Sequence, residues 1–455
     1  MRGRIALTAL AFLGACAPPE RPHPEAAAVA PPMAWRTPLP GSVPITANWW
    51  QAFGDPELTR LVEAALANNP DIAIAAARVA EARGQERVAR AARFPTLDAG
   101  VGLIEQRALN AFGSATTGTS LQPVFQSAYE IDLFGRVGQT IAAARLTGDA
   151  AAAAADSARL AVAAAAASGY VTLRGLDARI ETVRATIASR GEALRIARSR
   201  AEAGYTSQLE LRQAEAEYAG VTQTLPQLEL LARRQENALA LLTGTPPRAI
   251  DRGRALEALV PPPIPAGLPS DLLRRRPDIA QAEATLAASD ASLAGARAQF
   301  LPSLRLTGST GEVLSSALPN PVGIWSIGAS VLAPLFRGGQ LRGNYDAATA
   351  RRDQAAFAYQ RSVLTAFREV EDALAAVDRL AVQRRALEAQ RTATAEALRH
   401  ATNRYRAGYS PYLEQLDAQR ALFSAELSLE QVRADQLNAL VALYQAMGGG
   451  WGTGE

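Results

Sequence analysis

The 455-residue chain has one cysteine, two histidines, three methionines and, among its 47 basic residues, no lysine at all. Cys16 alone cannot close an intramolecular disulfide. His23 stands in a Pro-rich segment and His400 in a helical one, and the chain carries no zinc or phosphate-loop spacing. Its carboxylates are scattered over helical segments, where they read as solvated faces and not as acid–base pairs. An enzyme is therefore not expected, and no cofactor or metal is called for. The arginine-only, alanine-rich composition reads as that of a GC-rich genome. The formal net charge of +3 falls to +1 if Arg2 and Arg4 leave with a cleaved leader, which argues against nucleic acid as a partner. No later segment offers about 18 uninterrupted apolar residues. The Ala-rich run 150–167 comes nearest, but Asp156 and Arg159 interrupt it, and alanine carries little transfer energy. A spanning helix is not expected, so membrane insertion needs another device.

What is present begins with a leader. Arg2 and Arg4 form a basic start, Ile5 to Leu13 an apolar run, and Leu13-Gly14-Ala15-Cys16 follows. Residues 1–15 read as a secretory signal. The Leu-Gly-Ala-Cys string resembles a bacterial lipobox, which makes Cys16 the lipidated first residue of the mature chain; ordinary cleavage beside an incidental thiol is the alternative. Ala17 in place of Asp fits the outer membrane, by analogy with enteric lipoproteins. Residues 16–47, rich in Pro and Ala, read as an extended tether or wrapping arm.

The rest of the chain says nearly the same thing twice. Residues 200–216 (RAEAGYTSQLELRQAEA) match 404–420 (RYRAGYSPYLEQLDAQR), with Gly204 aligned to Gly408. Pro70-Asp71-Ile72-Ala73 matches Pro277-Asp278-Ile279-Ala280, and Pro95 matches Pro302. A duplicated half-structure follows: 48–243 and 269–451, joined by the Pro-rich connector 244–268 and closed by a short tail, 452–455. Each copy opens with a helix (56–94 and 269–299). Apolar residues then alternate with polar or small ones: Leu97, Ala99, Val101 and Leu103, then Tyr129, Ile131 and Leu133 across the turn-forming 110–120. The second copy repeats this with Leu304 and Leu306, then Trp325, Ile327, Ala329 and Val331. Two β-hairpins are predicted, over 96–134 and 302–336.

After each hairpin comes a very long helical stretch. No proline occurs from Arg136 to about Ala203, a length of roughly 100 Å as a helix. Leu173, Ile180, Ile187 and Leu194 recur every seven residues, with Leu176 and Val183 three positions after the first two. Val363, Phe367, Val370, Leu374 and Val377 step similarly in the second copy. These are coiled-coil spacings. Gly204 and Gly408 end the long helices, and second helices follow over 207–243 and 411–447. Four amphipathic strands cannot close a membrane barrel alone, because the smallest need about eight, and open edges do not survive in hydrocarbon. The strands belong either to a soluble sheet or to several chains together; the leader and the alternation favour sharing.

Several ordered strings resemble one family. They are Trp49-Trp50 with Phe53-Gly54-Asp55-Pro56, Tyr129-Glu130-Ile131-Asp132-Leu133-Phe134-Gly135-Arg136, Gly267 to Asp278 (GLPSDLLRRRPD), Ala333 to Gly339 (APLFRGG) and Gly448-Gly449-Gly450-Trp451. In order and coverage the chain resembles an outer-membrane factor of the TolC-like superfamily, in the lipoprotein (NodT-type) branch of drug-efflux channels. The resemblance implies a mainly α fold with a membrane β portion. In it a homotrimer pools four strands per chain into a 12-stranded barrel, continued by a long α-helical periplasmic barrel. It implies passive export of small molecules, taken from a periplasmic adaptor protein and an inner-membrane RND-type pump and released through the barrel, which is embedded in outer-membrane lipids. Other passive roles stay open: an exit duct for protein secretion, a heavy-metal exporter (weakened by only three methionines), or a lipid-anchored helical scaffold without a pore.

The resemblance also carries residue roles. A carboxylate ring and a bulky apolar ring constrict such tunnels just beyond the turn, and by motif these become Asp417 and Leu413. Three Asp417 copies near an axis would repel one another unless a cation or arginine lies between them, which suits a cation-selective, releasable constriction. Arg404, Arg406 and Arg420 are the candidates to hold it. Gln213 stands where copy two has Asp417, so one hairpin per chain supplies the charge. Gly204, Tyr205, Thr206 and Ser207, with Gly408, Tyr409, Ser410 and Pro411, form the surface expected to meet the adaptor. The plainer readings are a solvated helix carboxylate at 417 and ordinary helix-capping glycines.

Overall fold

A computed structural model describes residues 18, 22–37, 45–109, 113–264, 267, 269–316 and 318–451. The leader, Cys16 and the tail 452–455 lie outside the described residues. Two compact units emerge, one made of Met1–Ala28, Ala77–Ala152 and Gln281–Arg361, the other of Val29–Ala76, Ala153–Ala280 and Ser362–Glu455. Each draws on both sequence copies, so the duplication does not coincide with the compact units.

Copy one contains α1 (Pro56–Asn68), α2 (Pro70–Ala91), β1 (Thr96–Leu109), β2 (Ala115–Ile131), α3 (Arg136–Glu202), α4 (Gln208–Thr222) and α5 (Thr224–Leu242). Copy two contains α6 (Pro269–Arg275), α7 (Pro277–Ala298), β3 (Ser303–Ser315), β4 (Val322–Leu332), α8 (Gln340–Arg406) and α9 (Tyr412–Ala446). The first helix of each copy, expected to be continuous, is broken before a proline, which disfavours helical backbone in the residue preceding it. Asn69 is extended, and its Oδ1 accepts the Asp71 N–H at 2.8 Å, starting α2 afresh. The helix expected over 207–243 is also interrupted, at Gln223, because Pro226 cannot donate to the carbonyl four residues back. α9 has no internal proline and runs 35 residues unbroken. The strands stop short of 134 and 336: Leu133 folds back, its N–H donating to Ile131 O at 3.0 Å.

In the first unit the four strands form one antiparallel sheet, ordered β1-β2-β3-β4. β2 pairs with β3, so the sheet joins the two copies. Register decides which residues share a face. Leu97 lies opposite Ser127, Ser127 opposite Gly308, and Gly308 opposite Ile327; Ala99 leads likewise through Phe125 and Thr310 to Trp325. Every apolar strand residue singled out by alternation, from Leu97 to Val331, falls on this face, Leu133 excepted because it lies past the strand end. The other face carries Asp98, Gln126, Ser309 and Ser326 in one row. β1 and β4 are exposed along their whole length, and among the described residues their outer edges have no partner strand. Below the sheet, Leu293, Ala296, Tyr345 and Ala348 pack with Phe300 in a small helical core. The arm is packed here too: His23 Nε2 lies 3.0 Å from Asp290, and Gln360 Nε2 donates to Ala26 O at 2.8 Å.

The second unit has the larger core. Trp49 stacks on Tyr444 at 5.3 Å and meets Trp50 and Phe53 edge-on, over the buried Leu58, Val62 and Ala65 of α1. Asp55 ties its start to the connector: buried, it accepts from Glu57 N, Tyr170 Oη and Arg254 N at 2.8–2.9 Å. Burial pushes the Tyr170 phenol well above its usual range. Leu173, Leu176, Ile180 and Val183 are buried along α3, as are Val363, Val370, Leu374 and Val377 along α8. α3 and α9 approach so closely at Gly175 that a Cβ there would stand 2.7 Å from Ala434 Cβ. The arm continues with Trp35 Nε1 donating to Gly267 O at 2.8 Å and its ring 6.2 Å from Phe367. Among the described residues α3 alone is long and apolar enough to cross a membrane, by length and composition. Its apolar stretch is mostly alanine, which carries little transfer energy, and Ala163, Ala164, Ala166 and Ala167 within it are buried.

Candidate functional site

The site is the end of the second unit, where α3 turns into α4 and α8 into α9. Both long helices end the same way. Gly204 and Gly408 each have φ +77°, a conformation that favours glycine. Around them Tyr205 N donates to Arg200 O and Gly204 N to Ala201 O; Tyr409 N and Gly408 N repeat this to Arg404 O and Tyr405 O. This paired pattern is the Schellman motif, which satisfies the last helical carbonyls. The next helices start differently. Ser207 caps α4 by accepting the Glu210 N–H at 3.3 Å, whereas Pro411 begins α9 with no side-chain cap.

The turns present Tyr205 and Tyr409 to solvent, 84% and 79% exposed. No atom lies within 4 Å of where a Cβ on Gly204 or Gly408 would stand. Thr206 Oγ1 and Ser410 Oγ are buried without hydrogen-bond partners. Beneath, Ala197, Leu211, Ala214, Tyr412 and Leu416 form a compact apolar plug, joined at its edge by Leu194, Ala201 and Tyr405.

Polar links cross from one copy to the other around this plug. Tyr405 Oη donates to Glu210 and receives Arg200 Nη1 at 3.4 Å, while that guanidinium sits 5.9 Å above the Tyr405 ring. Burial first, and the Glu210 carboxylate second, push the Tyr405 phenol up to about 12. Arg420 Nε donates to Glu217 at 2.8 Å, and its Nη1 lies 3.8 Å from Asp417. Arg404 pairs with Glu414 at 3.4 Å. Arg406 makes no ion pair among the described residues. Of the three arginines singled out, only Arg420 therefore meets Asp417. The Asp417 side chain is 65% exposed and Leu413 half-exposed, so within one chain neither is held in the plug.

Sequence reading missed Glu210, Glu217, Tyr405 and Arg190. The first three gain meaning only when two distant helices meet. Arg190 had a signal. It falls three positions after Ile187, where Leu176 and Val183 stand in the preceding heptads, and it is buried at 4% exposure. Among the described residues no group of three or more His, Cys, Asp or Glu is placed to hold a metal ion.

In the first unit, exposed apolar side chains cluster where strands meet helices: Phe94, Leu133, Phe134, Leu335 and Phe336. Just inside them, Arg136 forms a two-pronged pair with Glu130 at 3.0 and 2.6 Å, and Asp132 accepts the Gly138 N–H at 2.7 Å, fixing the start of α3.

Comparison with known proteins agrees with this arrangement. The model of the family described as "Outer membrane efflux protein" matches residues 61–245 and 268–449. The solvent efflux pump outer membrane protein SrpC of Pseudomonas putida is 38% identical over 412 residues, covering 88% of this chain and 86% of that protein. The pyoverdine export outer membrane protein OpmQ of Pseudomonas aeruginosa is 34% identical over 467 residues, 99% of this chain and 97% of its own length. The solved outer-membrane channel OprN superposes with a TM-score of 0.86 at 29% identity, over 95% of this chain and 99% of its own. The chain belongs to the outer membrane efflux protein family.

Proposed function

We propose that this protein is the outer-membrane duct of a tripartite efflux system. Three copies pool their strands into a 12-stranded barrel, and their long helices continue it as a periplasmic tunnel. The observation that carries this reading is the register of the sheet. It sets Leu97, Phe125, Leu306, Trp325, Ile327 and Val331 on one face and the row Asp98, Gln126, Ser309 and Ser326 on the other, among mostly polar or small residues interrupted by Ile104, Val124, Val313, Val322, Ile324 and Leu332; among the described residues both edges are left unpaired. An exterior richer in apolar side chains, an interior richer in polar ones and edges closed by identical neighbours satisfy what hydrocarbon demands of a spanning sheet. Phe94, Phe134 and Phe336 then mark the periplasmic boundary of the membrane, where aromatic rings are favoured. Lipidation of Cys16 anchors the arm on that side.

Export is passive, driven by an inner-membrane RND-type pump and received through a periplasmic adaptor that seats on Gly204–Ser207 and Gly408–Pro411. Relatives named for solvent and pyoverdine efflux support small molecules as cargo. Asp417 and Leu413 form the constriction, with Arg420 bridging Asp417 to Glu217. The purified protein should run as a heat-modifiable trimer and conduct ions in planar bilayers; a trimer without conductance would leave only the scaffold reading.

A further inference from the structure

Arg190 is an anomaly in its own seam. It occupies a core heptad position of α3, is buried within a single chain, and its Nε and Nη1 have no hydrogen-bond partner. A buried cation without a bonded anion is costly, so a nearby carboxylate that could pair with it matters. The nearest opportunity is Glu217. α3 and α4 touch at this level: a Cβ on Gly191 would stand 3.4 Å from the Tyr218 ring. Glu217 acts on Arg190 through its charge, as do Tyr412 and Arg420 from α9, yet Glu217 is hydrogen-bonded to Arg420. One largely buried carboxylate thus has two cations, and it is bonded to the exposed one.

The two alternatives differ in what they join. Glu217–Arg420 links α4 of the first hairpin to α9 of the second. Glu217–Arg190 lies wholly inside the first hairpin and survives if the hairpins part. We propose that Glu217 changes partner as the tip opens, leaving Arg420 and pairing with Arg190, so that Arg190 is a positioning residue for the open state. The closed tip leaves Arg190 without a bonded anion; the open tip supplies one, and the difference narrows the gap between the two states. A pair of discrete arrangements of this kind is what a switch needs. The inference rests on the reading of the tip as a gate.

Single-channel conductance of the full-length trimer in planar bilayers tests both. Arg420→Ala should raise conductance several-fold by releasing Glu217. Adding Arg190→Met should return most of that increase, because the open state has lost its partner, while Arg190→Met alone should leave conductance low and the heat-modifiable trimer no less thermostable. If Arg420→Ala conducts equally well with and without Arg190, the partner exchange is wrong and the gate reading stands. If Arg420→Ala itself does not raise conductance, the gate reading fails and takes this inference with it. Arg190→Gln, which fills the seam without charge, is the second variant should Arg190→Met fail to assemble, with the same two outcomes.

Discussion

The two tip hairpins have one backbone and two chemistries. α3 and α8 are each 67 residues long and end on glycines with the same φ and the same pair of hydrogen bonds. Part of what links them is shared, since Arg200 aligns with Arg404 and Glu210 with Glu414, and part is asymmetric. Tyr405 and Arg420 belong to copy two, and their aligned positions in copy one are Ala201 and Ala216. The acceptors Glu210 and Glu217 belong to copy one, and Glu217 aligns with Ala421. The duplication supplied the turn with an arginine before it and a glutamate after it, and divergence added Tyr405 and Arg420 on one hairpin and Glu217 on the other. Helix mechanics diverged as well: Pro226 breaks the return helix of copy one, whereas α9 is continuous.

The largest effect should come from breaking the shared part. Gly204→Arg or Gly408→Arg meets no neighbouring atom, though its φ of +77° strains the turn itself; it should abolish drug resistance of producing cells while the heat-modifiable trimer persists. Loss of the trimer would instead make the turns structural only. Next comes the asymmetric part. Asp417→Ala should enlarge single-channel conductance, and Gln213→Ala, its aligned counterpart, should not; equal responses would erase the distinction between the hairpins. Alkaline pH probes Tyr405. A phenol held near 12 in the fold and near 10 in an unfolded tip contributes stability that is complete below pH 10 and lost as pH rises towards 12. Proteolytic cleavage at the tip should therefore increase over that range, and Tyr405→Phe should flatten the response. Smaller again, Pro226→Ala should mend the break in copy one and raise Tm by a few degrees, since proline inside a helix costs about 3 kcal/mol, part of which packing has already offset. The smallest effect is expected from Ser207→Ala, about 1 kcal/mol from the lost cap, with no counterpart to remove at Pro411.

Much of this architecture was legible because it is periodic. The proline-free stretch bounded α3, heptads marked part of α8, and a period of two, read from Leu97 to Val331, set the residues it singled out on one face, Leu133 excepted. The helix breaks at Asn69, Arg276 and Gln223 were equally available, since a proline follows within three residues each time; the apolar stripe continued across them and hid the change of axis. The tip was legible as a place but not as a mechanism. Asp417 can be found by motif, yet its neighbour Arg420 reaches Glu217, a contact between residues some two hundred positions apart that no local spacing encodes. Arg190 shows the converse: a charge at a seam position is visible in the sequence, but its meaning waits on what packs above it.

The unpaired edges of β1 and β4 carry a genetic consequence. In the proposed ring every subunit closes the one beside it, so a chain with a damaged edge spoils its two sound neighbours. If damaged and sound chains mix freely at equal dose, about one ring in eight is free of damage, and edge mutations should behave as dominant while cavity-making mutations deep in the helices behave as recessive.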